Sequence, residues 1–300
     1  MPLFSVVMNA HNRAGTLPRA IDSVLRQEAG DFELVIVDDG STDETPGVLA
    51  AYQDDPRVRL LHQKNAGCAA SRQTGIAAAR GEYVVFLDSD DEAAPGWLGI
   101  LRRRVGATRA DVVSAGARIM LPRGRSASRM PVDLGPVLNN RKGLFLSGSF
   151  AVRRAVLLAA GGYVPGTEPV DHTDFLHRLV RHAESSSVSF EVILREVVII
   201  HREDAVPYRP AALLRGALHL LETYPAHFQR DPRAWGVHLA IAGVNAARLG
   251  SMAEARSFFR RARSVNPRDA RCHARFLIAG IPPLAAWVWR APGGRGRSKG

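Results

Sequence analysis

The sequence predicts an α/β fold with a mostly parallel sheet, followed by an all-helical C-terminal region. Along the first hundred residues, short apolar runs alternate with segments of helical periodicity, and this alternation favours parallel strands joined by right-handed crossovers. Beyond Pro207 the strand patterns stop and the remaining segments have helical periodicity. We therefore predict two domains, residues 1–205 and residues 206–300.

Four apolar runs in the first domain are typical of strands that are covered on both faces. They are FSVVM (4–8), ELVIV (33–37), VRLLH (58–62) and YVVFL (83–87). Two further strands are predicted at DVVSAG (111–116) and EVVII (196–200). The arginine-bearing segment 118–136 between them has no clear period and is expected to form a loop.

Helices are predicted between the strands. Apolar residues from Leu17 to Leu25 share one helix face, and a helix of small residues is expected from Ala66 to Ala79. In the second domain, residues 236–269 match the small and large spacing of one tetratricopeptide unit. The matching positions are Gly243, Gly250, Ala255, Phe259, Ala262 and Pro267. A single unit cannot bury its own face, so it must pack on flanking helices or on the first domain.

Bulk composition indicates an ordinary globular chain, with 46% hydrophobic and 23% charged residues among 300. The N-terminus lacks the pattern of a signal peptide. The longest apolar run, residues 276–289, is too short to span a bilayer and contains two prolines. With two cysteines a disulfide framework is excluded. We expect a cytoplasmic protein.

The net charge of +11 comes entirely from the last third of the chain. Residues 201–300 hold 17 Lys and Arg against 6 Asp and Glu, whereas residues 1–200 hold 23 of each. Near the C-terminus, interfacial aromatics and cations occur together: Trp287, Trp289, Arg290, Arg295, Arg297 and Lys299. This combination predicts peripheral contact with the anionic inner face of a membrane. A solvated arginine-rich surface is the alternative. No aromatic interleaving suited to base stacking is present, so no nucleic-acid partner is expected.

Three acids crowd the end of the fourth predicted strand, in YVVFLDSDD (83–91). Asp88, Asp90 and Asp91 would repel one another unless a cation lies among them. Oxygen ligands suit a hard divalent ion such as Mg²⁺ or Mn²⁺, which would keep open positions for phosphate oxygens. The alternative is a solvated turn in which Asp88 caps the next helix.

Two long segments carry a resemblance to family 2 glycosyltransferases. They are SVVMNAHNRAGTLPRAIDSVLRQEAGDFELVIVDDGSTDET (5–45) and NAGCAASRQTGIAAARGEYVVFLDSDD (65–91), the second ending in the D-x-D of that family. The resemblance is dense over residues 4–97 and thinner to about 201. It implies a GT-A, Rossmann-like fold and an inverting, metal-assisted transfer from a nucleotide sugar, most often a UDP-sugar. The acceptor would be a saccharide, lipid-linked or other hydroxyl, in cell-surface polysaccharide or glycoconjugate synthesis.

The resemblance also implies roles for individual residues on the donor side. The turn Asn9-Ala10-His11 would border the nucleoside, although relatives usually have proline and tyrosine where this chain has Asn9 and His11. Asp39 would accept the imide N–H of the base, which disfavours cytosine. Arg72 would lie near the diphosphate, and Asp88 would reach the ribose or the metal.

On the metal side, Asp90 would ligate the ion and Asp91 would orient its ligands. His201 matches a histidine that ligates the metal in some relatives, and a buried structural histidine is the alternative.

Transfer with inversion needs a base opposite the leaving group. In relatives this base lies in an acidic pair before x-L-x-x-R-L, which here corresponds to VDHTDFLHRL (170–179). The catalytic aspartate of the family falls on His172. We rank Asp171 first as the base, then Asp174, with His172 close behind. The structural alternative is Asp171 as a helix cap and Asp174 as a first-turn acid.

Two other functions remain open at this point. A catalytically silent module that binds nucleotide sugars is favoured by the departure at His172. A sugar nucleotidyltransferase would need a glycine-rich phosphate loop directly after the first strand, and NAHNRAG (9–15) is a poor one.

Overall fold

We describe residues 1–202 and 208–289 of a computed structural model of the chain. The described residues form two compact units, 1–134 with 138–202 and 135–137 with 208–289. The predicted boundary at 205–206 lies outside the described residues, as do Arg290, Arg295, Arg297 and Lys299, so the two-domain division stays a prediction.

The first unit contains eleven strands and six helices among its described residues. The strands are β1 (Phe4–Ala10), β2 (Phe32–Asp39), β3 (Val58–Gln63), β4 (Tyr83–Phe86), β5 (Glu92–Ala93), β6 (Val112–Leu121), β7 (Arg125–Arg129), β8 (Val132–Asp133), β9 (Lys142–Gly143), β10 (Phe150–Arg153) and β11 (Phe190–His201). The helices are α1 (Leu17–Leu25), α2 (Thr45–Ala50), α3 (Cys68–Ala78), α4 (Trp97–Thr108), α5 (Arg154–Ala159) and α6 (Asp171–Ser185).

The main sheet has the order β3-β2-β1-β4-β10-β6-β11-β5, with β7 paired to β6. Strands β3, β2, β1 and β4 are parallel, whereas β10 runs antiparallel to both β4 and β6. The predicted α/β class is confirmed. The sheet is mixed, because β10, a strand near its centre, runs antiparallel to both of its neighbours. In the parallel part, Ala10 pairs with Asp38 and Asp39 with Gln63, so the carboxyl ends of β1 and β2 lie at one edge.

Apolar patterning explains how the helices are held on this sheet. Leu17, Ile21 and Val24 of α1 are buried, as their spacing predicts. Helix α3 approaches the sheet closely because residue 75 is glycine: a Cβ there would lie 2.3 Å from Cγ1 of Val7. Arg72, three residues before Gly75 on the same helix, reaches Asp88 shortly after β4.

The arginine-bearing segment expected as a loop is a β-hairpin. Strand β6 continues to Leu121 and pairs with β7 from Leu121↔Arg125 to Ala117↔Arg129. Arg123 and Gly124 both have positive φ at the turn. The residues of β7 are mostly exposed, so their side chains show no apolar alternation, and the ladder is held by backbone hydrogen bonds.

The second unit is helical throughout its described residues. Its helices are α7 (Pro210–Thr223), α8 (Pro225–Gln229), α9 (Pro232–Arg248), α10 (Met252–Val265), α11 (Ala270–Ala279) and α12 (Pro282–Val288). Helices α9 and α10 pack together with Phe259 against Gly243, where a Cβ would lie 2.6 Å from the ring. A small position of the tetratricopeptide pattern, Gly243, therefore contacts a large one, Phe259. The assignment of the repeat itself stays a prediction.

The two C-terminal tryptophans have different environments. Trp287 is 71% exposed, whereas Trp289 is 7% exposed and stacks on Phe259 with ring centroids 5.0 Å apart. The expectation that Trp289 is an interfacial aromatic was wrong, because its ring completes the core of this unit. Within residues 1–202 and 208–289, no helix is both long and apolar enough to cross a bilayer.

Candidate active site

The loops after β1 and β2 are tied together by a residue that the sequence patterns did not single out. Asn12 has a φ of 53°, and its amide oxygen accepts hydrogen bonds from the backbone N–H of Thr42 at 2.8 Å and of Asp43 at 3.3 Å. Its own N–H donates to Oγ of Ser41 at 3.0 Å. The two loops at the carboxyl edge therefore form one connected surface.

Asp39 is buried and held by the start of α3. Its Oδ1 accepts from the N–H of Ala66 at 2.9 Å and from Nε2 of Gln63 at 2.7 Å, and Oδ2 accepts from the N–H of Gly67 at 2.8 Å. A carboxylate oxygen has two acceptor positions. Among the residues that the structure describes, Oδ2 accepts one hydrogen bond, so one acceptor position remains for the predicted contact with a base N–H.

The Asn9-Ala10-His11 turn lies beside Asp39. Nδ1 of His11 is 3.0 Å from the backbone oxygen of Asp39, and the amide of Asn65 lies 3.0 Å from the same nitrogen. Asn9 donates to Sγ of Cys68 at 3.5 Å, whereas Ala10 is buried at the end of β1. The predicted nucleoside border is thus assembled from two strand ends and the start of α3.

The three acids after β4 converge. Ligand oxygens of Asp88, Asp90 and Asp91 all lie within 4.8 Å of one another. Two arginines approach Asp90: NH2 of Arg13 is 3.8 Å from its Oδ2, and Arg19 donates to its backbone oxygen. Three carboxylates at this separation fit a hard divalent cation, and their oxygens are the ligand type that Mg²⁺ and Mn²⁺ prefer.

Burial and mutual repulsion raise the pKa values of two of these acids, Asp90 and Asp91. Burial, and then the charge of Asp88, raises the pKa of Asp90. The same two causes raise the pKa of Asp91 to about 8, against the lowering effect of the hydrogen bond from the N–H of His201. Without a cation the cluster therefore keeps a proton near neutral pH, and a bound cation would displace it.

Replacing Asp91 by Asn is expected to stabilise the metal-free protein at alkaline pH. In the unfolded chain Asp91 ionises near 3.8, whereas in the fold it holds its proton to about pH 8. The folded state binds the extra proton in that window, so this residue lowers stability progressively as pH rises from about 4 to about 8. We expect equal melting temperatures for wild type and Asp91→Asn at pH 4 and a variant that melts higher, by roughly 3 °C or more, at pH 9 with EDTA. A difference independent of pH would contradict this account.

Arg72 joins the acid cluster to the start of α6. It is buried, with NH2 2.7 Å from Oδ1 of Asp88 and NH1 donating to Oδ2 of Asp171. Its guanidinium also lies 5.5 Å from the ring centre of Tyr163. Burial opposes ionisation of Asp88, but the charges of Arg72 and of protonated His172 and the hydrogen bonds from Ser147 and Arg72 together hold the pKa of Asp88 below its ordinary value.

The three candidate bases have distinct surroundings. Asp171 and Asp174 are both buried, 6% and 2% exposed, and each pairs with an arginine: Asp171 with Arg72, and Asp174 with Arg178 at 2.9 Å. His172 lies between Oγ of Ser147, 3.1 Å from its Nε2, and the hydroxyl of Tyr163, 2.5 Å from its Nδ1. Burial, with the charge of Arg72 adding to it, lowers the pKa of His172 to about 4. The imidazole is therefore neutral at physiological pH.

His201 adjoins the acid cluster through its backbone. Its N–H donates to Oδ1 of Asp91 at 2.9 Å, and Nε2 of its ring lies 2.7 Å from Oε1 of Glu92. The close group of ligand atoms contains Asp88, Asp90 and Asp91, and the ring of His201 is directed to Glu92.

Ser147 and Tyr163 are site residues that sequence reasoning missed. Oγ of Ser147 donates to Oδ1 of Asp88 at 2.8 Å. The signal for Ser147 is the following glycine: Gly148 has a φ of +79°, and a Cβ there would lie 2.4 Å from Cγ2 of Val198. Only glycine fits this backbone, which turns Ser147 toward the strand end.

Comparison with known proteins agrees with this geometry. The profile described as "Glycosyl transferase family 2" matches residues 5–158, just over half of the chain, and the protein belongs to that family. The fold is similar to the crystal structure of S. aureus TarS 1-349 in complex with UDP-GlcNAc, with a TM-score of 0.69 and 18% identity over 96% of this chain and 92% of that one. This likeness shows a GT-A glycosyltransferase fold.

Two curated relatives match part of the chain. The succinoglycan biosynthesis protein ExoO of Rhizobium meliloti (strain 1021) is 41% identical over 42% of this chain, and the uncharacterized glycosyltransferase EpsJ of Bacillus subtilis (strain 168) is 35% identical over 39%. The matched segments span about a third of these relatives, 36% and 34% of their lengths.

Proposed function

We propose that this chain is an inverting, metal-dependent hexosyltransferase that moves a sugar from a UDP-sugar to a hydroxyl acceptor. The observation that carries the proposal is the position of Arg72, whose guanidinium contacts Asp88 of the acid cluster on one side and Asp171 on the other. An ion site and a candidate base are thereby held on either side of one buried cation. The likeness to a protein crystallised with UDP-GlcNAc, and to one of succinoglycan biosynthesis, supports a role in polysaccharide or glycoconjugate synthesis.

Donor binding is assigned to the carboxyl edge of the sheet. Oδ2 of Asp39, which accepts one hydrogen bond within the described residues, takes the imide N–H of uracil, and the turn at His11 borders the nucleoside. Asp88, Asp90 and Asp91 would hold Mg²⁺ or Mn²⁺, which when bound offsets the charge of the diphosphate leaving group. The charge of Arg72 favours the ionised form of Asp88 that this task needs.

Asp171 is assigned as the general base. As the acceptor oxygen bonds to the anomeric carbon, the bond from that carbon to the diphosphate breaks and the hydroxyl proton passes to a carboxylate oxygen of Asp171. Asp171 is preferred because Arg72 holds it next to Asp88 of the acid cluster, whereas Asp174 pairs with Arg178 and both ring nitrogens of His172 have hydrogen-bond partners.

The proposal is tested by presenting nucleoside diphosphates and their sugars with Mn²⁺. We expect the largest thermal shift with UDP-sugars, and hydrolysis or transfer that is lost with EDTA. Binding without any turnover would favour the silent module, for which the replacement of an acid by His172 is the supporting observation. Release of pyrophosphate from UTP and a sugar 1-phosphate would instead identify a nucleotidyltransferase.

Peripheral binding to an anionic membrane is proposed for the C-terminal region. Exposed apolar side chains occur near its end, with Leu277 65%, Ile281 52% and Trp287 71% exposed, in a third of the chain that carries 17 basic against 6 acidic residues. Apolar contact and cationic attraction act together at such surfaces.

The protein is expected to co-sediment with vesicles containing phosphatidylglycerol and to be released by high salt, because salt screens the attraction between charges. Trp287→Ala should weaken binding, and a chain truncated after Ile281 should lose most of it. Equal sedimentation of the full and truncated chains, or equal binding to neutral vesicles, would remove the proposal.

A further inference from the structure

Four polar side chains form a line that ends on the acid cluster. The hydroxyl of Tyr163 is 2.5 Å from Nδ1 of His172, Nε2 of His172 is 3.1 Å from Oγ of Ser147, and that oxygen is 2.8 Å from Oδ1 of Asp88. Of these four residues, Tyr163, His172 and Ser147 have no role in the function proposed above.

The chemistry of the groups fixes the direction of each hydrogen bond. The carboxylate of Asp88 can only accept, so the hydroxyl of Ser147 donates to it. Ser147 then accepts from the Nε2–H of His172. A neutral imidazole has one N–H, so Nδ1 accepts a hydrogen bond from the hydroxyl of Tyr163. Each donor in the line then has one acceptor.

Both ends of the line are rigidly held. The N–H of Tyr163 donates to Oε1 of Gln73 at 2.9 Å, and its ring packs against Phe86 and Phe175 with centroids 5.0 and 5.3 Å away. At the other end, the carbonyl of Gly148 accepts from Nε1 of Trp97 at 2.8 Å, which fixes the loop that carries Ser147.

The line of side chains forms its hydrogen bond with one carboxylate oxygen of Asp88, Oδ1, and not with the other, Oδ2. Oδ1 accepts from both Arg72 and Ser147, which fills its two acceptor positions. Within the described part of the chain, no hydrogen bond to Oδ2 of Asp88 is found. Rotation of the carboxylate would break both bonds to Oδ1, so the orientation of Oδ2 is set by Ser147 and Arg72 together.

We propose that Tyr163, His172 and Ser147 form a hydrogen-bonded chain that positions Asp88 to bind the divalent cation through Oδ2. This inference rests on the metal site of the proposed function. His172 is accordingly a positioning residue and acts through Ser147. An acid at position 172 could not donate to Ser147 while ionised, so the chain depends on the histidine that this sequence has there.

The test measures Mn²⁺ affinity by electron paramagnetic resonance in the presence of excess UDP. Loss of a partner that orients a metal ligand weakens binding by about 10- to 100-fold. We expect Ser147→Ala to raise the Kd for Mn²⁺ by about tenfold or more. At saturating Mn²⁺ its kcat should return close to the wild-type value, because Ser147 orients a ligand and does not touch the reacting atoms.

Two substitutions of His172 distinguish its role as a hydrogen-bond donor to Ser147 from its role in filling space. His172→Gln keeps an N–H donor near the place of Nε2, whereas His172→Leu keeps only apolar volume. We expect Mn²⁺ affinity in His172→Gln to lie clearly closer to wild type than in His172→Leu. Tyr163→Phe, which removes the first donor, should weaken affinity less than Ser147→Ala.

Ser5 supplies a matched control away from the site. It is fully buried and donates to Oε1 of Glu33 at 2.6 Å, so Ser5→Ala removes the same kind of bond. This variant should lose stability and keep wild-type Mn²⁺ affinity.

Three results would overturn the positioning chain: unchanged affinity in Ser147→Ala, equal loss in Ser5→Ala, or no Mn²⁺ binding by the wild type. A wild type that binds Mn²⁺ through this chain but neither hydrolyses nor transfers any sugar would refute the transferase alone.

Discussion

Asp171→Asn is expected to lower kcat by a factor of about 10²–10⁴, the usual contribution of a general base, while Mn²⁺ and UDP still bind. The substituted amide cannot take the acceptor proton, but its oxygen can still accept from Arg72, so the buried guanidinium keeps a partner on each side. Steady-state transfer and calorimetric titration of UDP would measure the two effects separately.

Asp174→Asn is the matched comparison, because both acids lie in the first turn of α6. Asp174 pairs with Arg178, which also donates to the carbonyl of Ala160 at 2.7 Å. Its substitution should lower the melting temperature and leave the kcat of the folded fraction near wild type. A large loss of kcat in Asp174→Asn, with Asp171→Asn active, would transfer the role of base to Asp174.

Asp90→Ala is expected to reduce turnover by about 10³-fold or more, since an ion that stabilises the leaving diphosphate contributes several kcal/mol to the transition state. The fold should survive. Burial and the charge of Asp88 raise the pKa of Asp90, so its ionised form is disfavoured in the folded protein and its removal relieves repulsion.

Thermal melting in EDTA should therefore show Asp90→Ala at least as stable as wild type. Asp22→Asn, on α1 and beside Arg26, serves as a control acid and should retain full turnover. Full activity in Asp90→Ala would exclude the metal role of this residue.

Much of the fold could be predicted because its elements are local patterns. The buried face of α1, the buried strands and the acids after β4 follow from spacing along a single segment. The hairpin of β6 and β7 could not be predicted, because exposed strand residues carry no alternation of apolar side chains.

The candidate site was only partly predictable for the same reason. The convergence of Asp88, Asp90 and Asp91 is contained in four consecutive positions. The pairing of Arg72 with Asp171 joins residues 99 apart, and Ser147 reaches Asp88 across 59 positions. Such contacts depend on the order of strands in the sheet, which the sequence pattern does not determine.

The position of Trp289 shows a further limit. An aromatic beside arginines is typical of a membrane surface, but the same ring fills the space over Phe259. Composition alone does not distinguish these environments.

Anomalous scattering at the manganese edge, from crystals grown with Mn²⁺ and UDP, tests the central claim most directly. We predict one strong peak within coordination distance of carboxylate oxygens of Asp88 and Asp90, with the diphosphate of UDP on its open side. A diphosphate bound with no manganese beside these acids, or manganese bound elsewhere, would contradict the account.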